Sequence, residues 1–170
     1  MLKTLSYYSN NGASVFCTFL DATKALDRVD YVKIFILLVD RMVPPVSVRL
    51  LLNMYTTHVC RVSWNGVCSV PFSVLNGVKQ GWVISPVLFC IYLDKLLGKL
   101  AEAWVGCYIG IIFVGALEYA DDIVLLAPTA RAMRFMLGIC DHYALEYSIL
   151  FNAKKIKNYF IWPMLWLFIS

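Results

Sequence analysis

Tyr119-Ala120-Asp121-Asp122 stands between two apolar runs, residues 109–117 and 123–127, and its reading decides the fold. Apolar runs broken only by a short acidic segment predict a β-hairpin with carboxylates at its tip. Two adjacent carboxylates repel unless water or a cation screens them. A double Asp in a turn has a plain reading as a solvated hairpin tip, since Asp is a common turn residue. It also has a chemical reading, because hard divalent cations such as Mg²⁺ take carboxylate oxygens together with substrate phosphates. The rest of the chain has to decide between them by supplying, or not, a third carboxylate and a substrate-reading loop.

Upstream, residues 15–20 form a nearly unbroken apolar run ending at Asp21. Such a run predicts a strand buried on both faces, with Asp21 at its C-terminal end. Asp21 could equally cap a following helical turn. Lys24, Asp27, Arg28 and Asp30 make a polar connector to a helix over residues 31–42. Pro44-Pro45 stops that helix and starts another over 46–55. Residues 59–64 and 67–74 flank Asn65-Gly66, a strong two-residue hairpin signal.

Next comes Asn76-Gly77-Val78-Lys79-Gln80-Gly81, then Ser85-Pro86 as N-cap and first turn of a helix through residue 100. The two glycines permit close backbone approach to a ligand, and Lys79 and Gln80 can bond phosphate or base edges. The same loop also reads as an ordinary turn. Residues 104–126 are expected to form the hairpin that carries the Asp pair. A helix over 129–147 follows, capped by Thr129, with Arg131 and Arg134 on its polar side. Lys154-Lys155-Ile156-Lys157 is a basic cluster, whose simplest reading is a solvated edge. These elements make an α+β fold, an antiparallel sheet with helices packed on one face.

The totals narrow the class. The 170 residues suffice for one domain. A hydrophobic fraction of 61% against 15% charged points to a membrane protein or to part of a larger one. No clean apolar span of about 20 residues exists, so no membrane association is expected. The N-terminus has no apolar signal region. Cys17, Cys60, Cys68, Cys90, Cys107 and Cys140 are scattered without a C-x-x-C pair. They are expected as reduced, core-packed thiols in an intracellular protein (nuclear or cytoplasmic), not a zinc site. His58 and His142 stand in no ligand spacing. The net charge of +4 permits nucleic-acid binding without indicating it.

In register, four blocks resemble the reverse transcriptases of non-LTR (LINE-type) retrotransposons. They are Phe19-Leu20-Asp21-Ala22-Thr23-Lys24-Ala25-Leu26-Asp27, the 76–81 loop with Ser85-Pro86-Val87-Leu88-Phe89, Tyr119-Ala120-Asp121-Asp122, and Asn152-Ala153-Lys154-Lys155. The resemblance implies a polymerase palm, with fingers and thumb largely missing. It divides the chain into residues 1–158 and a divergent apolar tail, 159–170. It also implies that Asp21 and Asp121 hold two Mg²⁺ ions (Mn²⁺ as a substitute), with Asp122 supporting. Ala22 backbone would lie against the incoming triphosphate, and Lys155 near its leaving group. Gln80-Gly81 would touch template and nucleotide. The implied partners are an RNA template, a DNA primer, a dNTP and the rest of a retroelement polyprotein. The implied activity is RNA-directed DNA polymerisation. A fragment of this kind is expected to turn over weakly, the alternative being an inactive remnant that binds nucleic acid or protein.

Four positions depart from the family pattern. Leu26 replaces an aromatic that lies under the sugar and excludes a 2′-hydroxyl. Trp82 replaces a small residue and is expected to crowd the template or strain its loop, at about 1–3 kcal/mol if buried. Ile156 stands where Thr or Ser is usual, and Lys95 where a second acid is frequent.

Overall fold

A computed structural model describes residues 1–57, 59–74, 76–79, 81–152 and 155–161. In chain order the elements are α1 (Leu2–Asn10), β1 (Val15–Asp21), α2 (Tyr31–Asp40), α3 (Pro45–Thr56), β2 (Val59–Cys60), β3 (Ser63–Trp64), β4 (Val67–Cys68) and β5 (Phe72–Ser73). Then follow α4 (Ser85–Glu102), β6 (Tyr108–Ile109), β7 (Ile112–Phe113), β8 (Ala116–Tyr119), β9 (Asp122–Ala127), α5 (Ala130–Tyr147) and β10 (Lys157–Ile161). They fall into two compact units, Met1–Ala25 with Leu93–Ser170, and Leu26–Tyr92. None of the helices among the described residues is long and apolar enough to cross a membrane.

The first unit is built on an antiparallel sheet in the order β10-β1-β9-β8. The apolar run of residues 15–20 explains why β1 lies inside this sheet with a partner on each side. Val15 and Cys17 of β1 pack with Leu126 of β9, Cys107 and Leu5 of α1. The amphipathic α5 packs against β9 and buries Met133, Met136, Cys140, Tyr143, Ala144 and Tyr147 at helical spacing. Its cap is as the sequence predicts, with Thr129 Oγ1 accepting from Ala132 N at 3.1 Å. Lys99 ties α4 to Glu146 at 2.9 Å, and this hydrogen bond holds the Glu146 carboxyl below its ordinary pKa. Lys95 lies over the Tyr147 ring, 6.0 Å from its centroid.

Two features of this unit lie outside the sequence reading. The first is α1. The second is β10, which includes Tyr159–Ile161 and pairs along β1 from Val15↔Ile161 to Phe19↔Lys157. Thr18 Oγ1 donates to Asn158 Oδ1 at 2.7 Å, and the Phe16 and Phe160 rings meet at 4.5 Å, so cross-strand pairs fix the register. The apolar arm expected over 109–117 is not one strand. Gly110, at φ +61°, reverses the chain and makes β6–β7 a hairpin of its own before β8 begins.

In the second unit, Asp30 caps α2 by accepting from Val32 N at 2.8 Å and Lys33 N at 3.2 Å. The expected helix over 31–42 ends at Asp40. Pro44-Pro45 starts α3 as predicted. Asn65 and Gly66 both take positive φ (47° and 78°), the requirement of a type I′ hairpin turn between β3 and β4. The long strands expected around them break into two short pairs. Pro71 cannot donate to a ladder, and Ser69 Oγ accepts from Val62 N where the ladder lapses. Ser85 is the first residue of α4, not its cap. Leu88 N donates to Ile84 O, which puts the cap one residue earlier, and the Ser85 hydroxyl donates to the Lys79 carbonyl.

The cysteines are all free, but they are not all core residues: Cys17, Cys107 and Cys140 are buried, while Cys68 and Cys90 are exposed. Burial pushes the Cys17 and Cys107 thiols up to about 11 and Cys140 up to about 12, from an ordinary 9.0. The folded chain therefore binds more protons than the unfolded chain between pH 9 and these values. The stability from neutral thiols is complete below pH 9 and is lost as pH rises through the folded values. The urea midpoint should fall between pH 9 and 10.5, each thiol contributing at most about 1.4 kcal/mol per pH unit. Cys140→Ala should flatten that fall, and an unchanged slope would show that Cys140 is not sequestered.

Candidate active site

The candidate site of the first unit is assembled at one end of β1. Asp21 is its last residue and Asp122 the first of β9, and the two stand directly opposite in the β1–β9 register. Opposed residues of an antiparallel pair have Cβ atoms about 4.5–5.5 Å apart on one face, where like charges destabilise. The compensating charge comes from Lys155, whose Nζ is 3.1 Å from Asp21 Oδ1.

Local backbone explains how Lys155 arrives. Asn152 N donates to Asp21 O at 2.8 Å and Thr23 N donates to Leu150 O at 2.7 Å. The buried Ala22 bridges to Phe151. Between that bridge and the Phe19↔Lys157 pair the register slips by three residues. The segment therefore bulges beside Asp21, turned by Lys155 N and Ile156 N, which both donate to Asn152 O. The Lys155 side chain is 63% exposed and that of Asp21 27%. At that exposure the ion pair contributes at most about 1 kcal/mol.

Asp121 lies in the two-residue β8–β9 turn and is exposed, as is Asp122. Ala120 precedes it at φ +55°. A cavity of about 460 Å³ is lined by Phe19, Leu20, Asp21, Asp122, Lys155, Lys157 and Tyr159. From sequence Lys157 reads only as part of the basic cluster and Tyr159 only as the start of the apolar tail; the alternation along residues 157–161 is the signal that puts both on one strand face. The donor set, hard carboxylate oxygens open to water beside ammonium groups, suits a divalent cation carrying an anionic phosphate ligand. Among the described residues no three His, Cys, Asp or Glu side chains are already clustered to hold a metal. Two carboxylates are in register, and the third sits on the turn.

The other predicted residues belong to the second unit. Leu26 opens a short 3-10 turn, Leu26–Arg28, and its carbonyl accepts from Val78 N at 2.7 Å. Gly77 is obligatory there, because a Cβ would sit 2.8 Å from Asp27 backbone atoms. Gly81 takes φ +82°. Gln80 lies outside the described residues, as does His58.

Lys79 is engaged within the unit itself. Its Nζ donates to Met54 O at 2.9 Å, in the last turn of α3, where carbonyls lack helical partners. A cation there gains about 0.3–1 kcal/mol from the helix dipole. The same Nζ lies 4.0 Å from the Trp82 ring centroid and 5.5 Å from that of Tyr55. Burial lowers the pKa of the ammonium. Trp82 thus takes its place against Lys79 and Tyr55 (ring centroids 6.1 Å apart). Its partners Tyr55 and Met54 lie some 25 residues away along the chain, too far for any local pattern to reveal them.

A family model described as reverse transcriptase (RNA-dependent DNA polymerase) matches residues 2–165. The chain is 32% identical over 84% of its length to the Drosophila melanogaster "Retrovirus-related Pol polyprotein from type-2 retrotransposable element R2DM". It is 30% identical over 73% to the Nasonia vitripennis R2 Pol polyprotein. It spans only 13% and 12% of the length of these relatives. Among solved structures, Candida tropicalis telomerase matches over 94% of the chain and 33% of its own, at TM-score 0.71 and 14% identity. That enzyme in complex with a telomeric RNA fragment matches over 94% and 28%, at TM-score 0.73 and 11% identity. The likeness to both is one of fold.

Two substitutions test this geometry. Ala120→Val places a β-branched residue at positive φ and should cost about 1–2 kcal/mol of stability by urea unfolding; no loss would mean that the turn has another backbone conformation. The buried Tyr55 hydroxyl has no hydrogen-bond partner among the described residues. Tyr55→Phe should therefore be neutral or stabilising by about 1 kcal/mol, and a loss above that size would reveal a partner.

Proposed function

The chain belongs to the reverse transcriptase (RNA-dependent DNA polymerase) family, and on that premise we propose that it forms the palm of a retroelement polymerase that extends a DNA primer along an RNA template. The observation that carries this reading is the placement of Asp21 opposite Asp122, with Lys155 on Asp21, in one cavity. Nucleotidyl transfer is an in-line attack of a 3′-hydroxyl on an α-phosphorus. Two bound Mg²⁺ ions would activate the attacking oxygen and stabilise the leaving one.

Every other contribution falls to the chain. Asp21, Asp121 and Asp122 are the residues that would hold the cations, the first two of them carried by β1 and by the β8–β9 turn. Lys155, which pairs with Asp21, would carry its positive charge to the triphosphate, and Lys157 adds a second positive charge on the same cavity wall. By the family resemblance, the Ala22 backbone is assigned to the triphosphate, Leu26 to the sugar, and Gln80-Gly81 to template and nucleotide. The remainder of a longer polyprotein is the proposed partner, and the nucleus or cytoplasm the proposed place of action. A remnant that only binds nucleic acid is the second reading. It is favoured by the pairing of Asp21 with Lys155, which occupies a carboxylate that a cation would need.

Mg²⁺-dependent extension of a DNA primer on RNA should disappear in Asp121→Asn, whereas extension that survives would reject the site. Mn²⁺ binding followed by electron paramagnetic resonance should weaken at least about tenfold in Asp21→Asn and in Asp122→Asn. Salt-dependent RNA binding with neither extension nor Mn²⁺ binding would select the remnant. Leu26→Phe should sharpen discrimination against ribonucleotides in single-nucleotide incorporation, since Leu lacks the flat bulk that opposes a 2′-hydroxyl. Unchanged discrimination would remove Leu26 from the sugar pocket.

A further inference from the structure

Lys79 is a cation on a loop that this family uses for template and nucleotide, yet its charge is already satisfied. Three attractions converge on one ammonium group. The Met54 carbonyl accepts its hydrogen bond, the Trp82 ring lies 4.0 Å away, and the Tyr55 ring lies 5.5 Å away. They arise from two elements: the C-terminal turn of α3 supplies Met54 and Tyr55, and the loop beyond Gly81 supplies Trp82. Carbonyl and rings all present negative potential to the same atom. Tyr55 is itself fixed by Tyr31 at 5.4 Å and Phe35 at 6.4 Å, so the cage is rigid on the α3 side. Its removable wall is Trp82, a bulky residue at a position the family keeps small.

We propose that Trp82 is a positioning residue that latches the Lys79 ammonium onto the end of α3 and withholds it from nucleic-acid phosphate. This rests on the polymerase reading for the identity of the anion, but not for the latch. In the latched state the loop 76–82 is tied to α3 through a side chain that would otherwise be free to neutralise one phosphate. Opening the latch adds one such contact.

The test pairs a binding slope with a chemical footprint. Affinity for a fluorescein-labelled single-stranded RNA is measured by anisotropy across a salt series. Lys79→Gln alone should leave affinity and slope as in the wild type. Trp82→Leu, which stays apolar but removes the π face, should steepen the log–log slope by about 0.7, the value of one phosphate contact on a single strand. It should also tighten binding about threefold or more at low salt. Trp82→Phe should behave as wild type, and Lys79→Gln combined with Trp82→Leu should lose the gain. In parallel, acetylation by a limiting amine reagent, read by mass spectrometry, should modify Lys79 several-fold more slowly than the exposed Lys24, and should equalise the two in Trp82→Leu. A shallower slope in Lys79→Gln alone, or equal acetylation in the wild type, would overturn the latch. Protection of Lys79 with no RNA binding by any variant would overturn the phosphate contact and the nucleic-acid reading, while leaving the cage in place.

Discussion

Two carboxylates of like charge stand opposite each other at the end of the central strand pair, and the site is organised by how that repulsion is relieved. The β1–β9 register puts Asp21 and Asp122 face to face. An isolated pair of this kind would be a defect in the sheet. Lys155 relieves it from a bulge whose position is set by two backbone pairings, Phe19↔Lys157 and Ala22↔Phe151. The sheet thus delivers charges of both signs to one cavity, although its two central strands, β1 and β9, are otherwise nearly all apolar. A cation bound by the carboxylates and an anion bound by the lysines would each strengthen the other's binding, since either relieves the repulsion or the pairing that the other disturbs.

Such a site requires the strands beneath it to be immobile. That follows from the packing of Val15, Cys17 and Leu126 with Leu5 and Cys107, and from α5 on β9. The β10 edge is held by Thr18–Asn158 and by the Phe16–Phe160 and Phe19–Tyr159 ring pairs. Strand ends give a more precise placement than loops, because the hydrogen-bond ladder fixes them to the register. Of the three carboxylates it is Asp121 that lies beyond the ladder, on a turn strained at Ala120.

The second unit handles its charge by the opposite device. Lys79 is satisfied by a helix-end carbonyl and two aromatic faces, not by a carboxylate. A carbonyl and π faces can hold an ammonium group without introducing a second formal charge. The aromatic cluster of Tyr31, Phe35, Tyr55 and Trp82 therefore serves packing and cation binding together.

The sequence by itself determined the apolar run that ends at Asp21, the acidic hairpin tip, the Asn65-Gly66 turn, the Pro44-Pro45 helix break and the Thr129 cap. Each rests on side-chain chemistry acting within a few residues, which is why it can be read locally. The apolar pattern determined less: the arms around Gly110 and Pro71 break where that pattern predicts continuity. Only the tertiary structure decided that Asp122 is the residue facing Asp21, that a three-residue slip brings Lys155 to it, and that Lys79 is caged by Tyr55 and Trp82. Register and long-range cation contacts depend on which segments meet in space: a one-residue shift in the β1–β9 pairing would turn Asp122 to the other face of the sheet, and Lys79 meets its cage only because its loop returns to the end of α3.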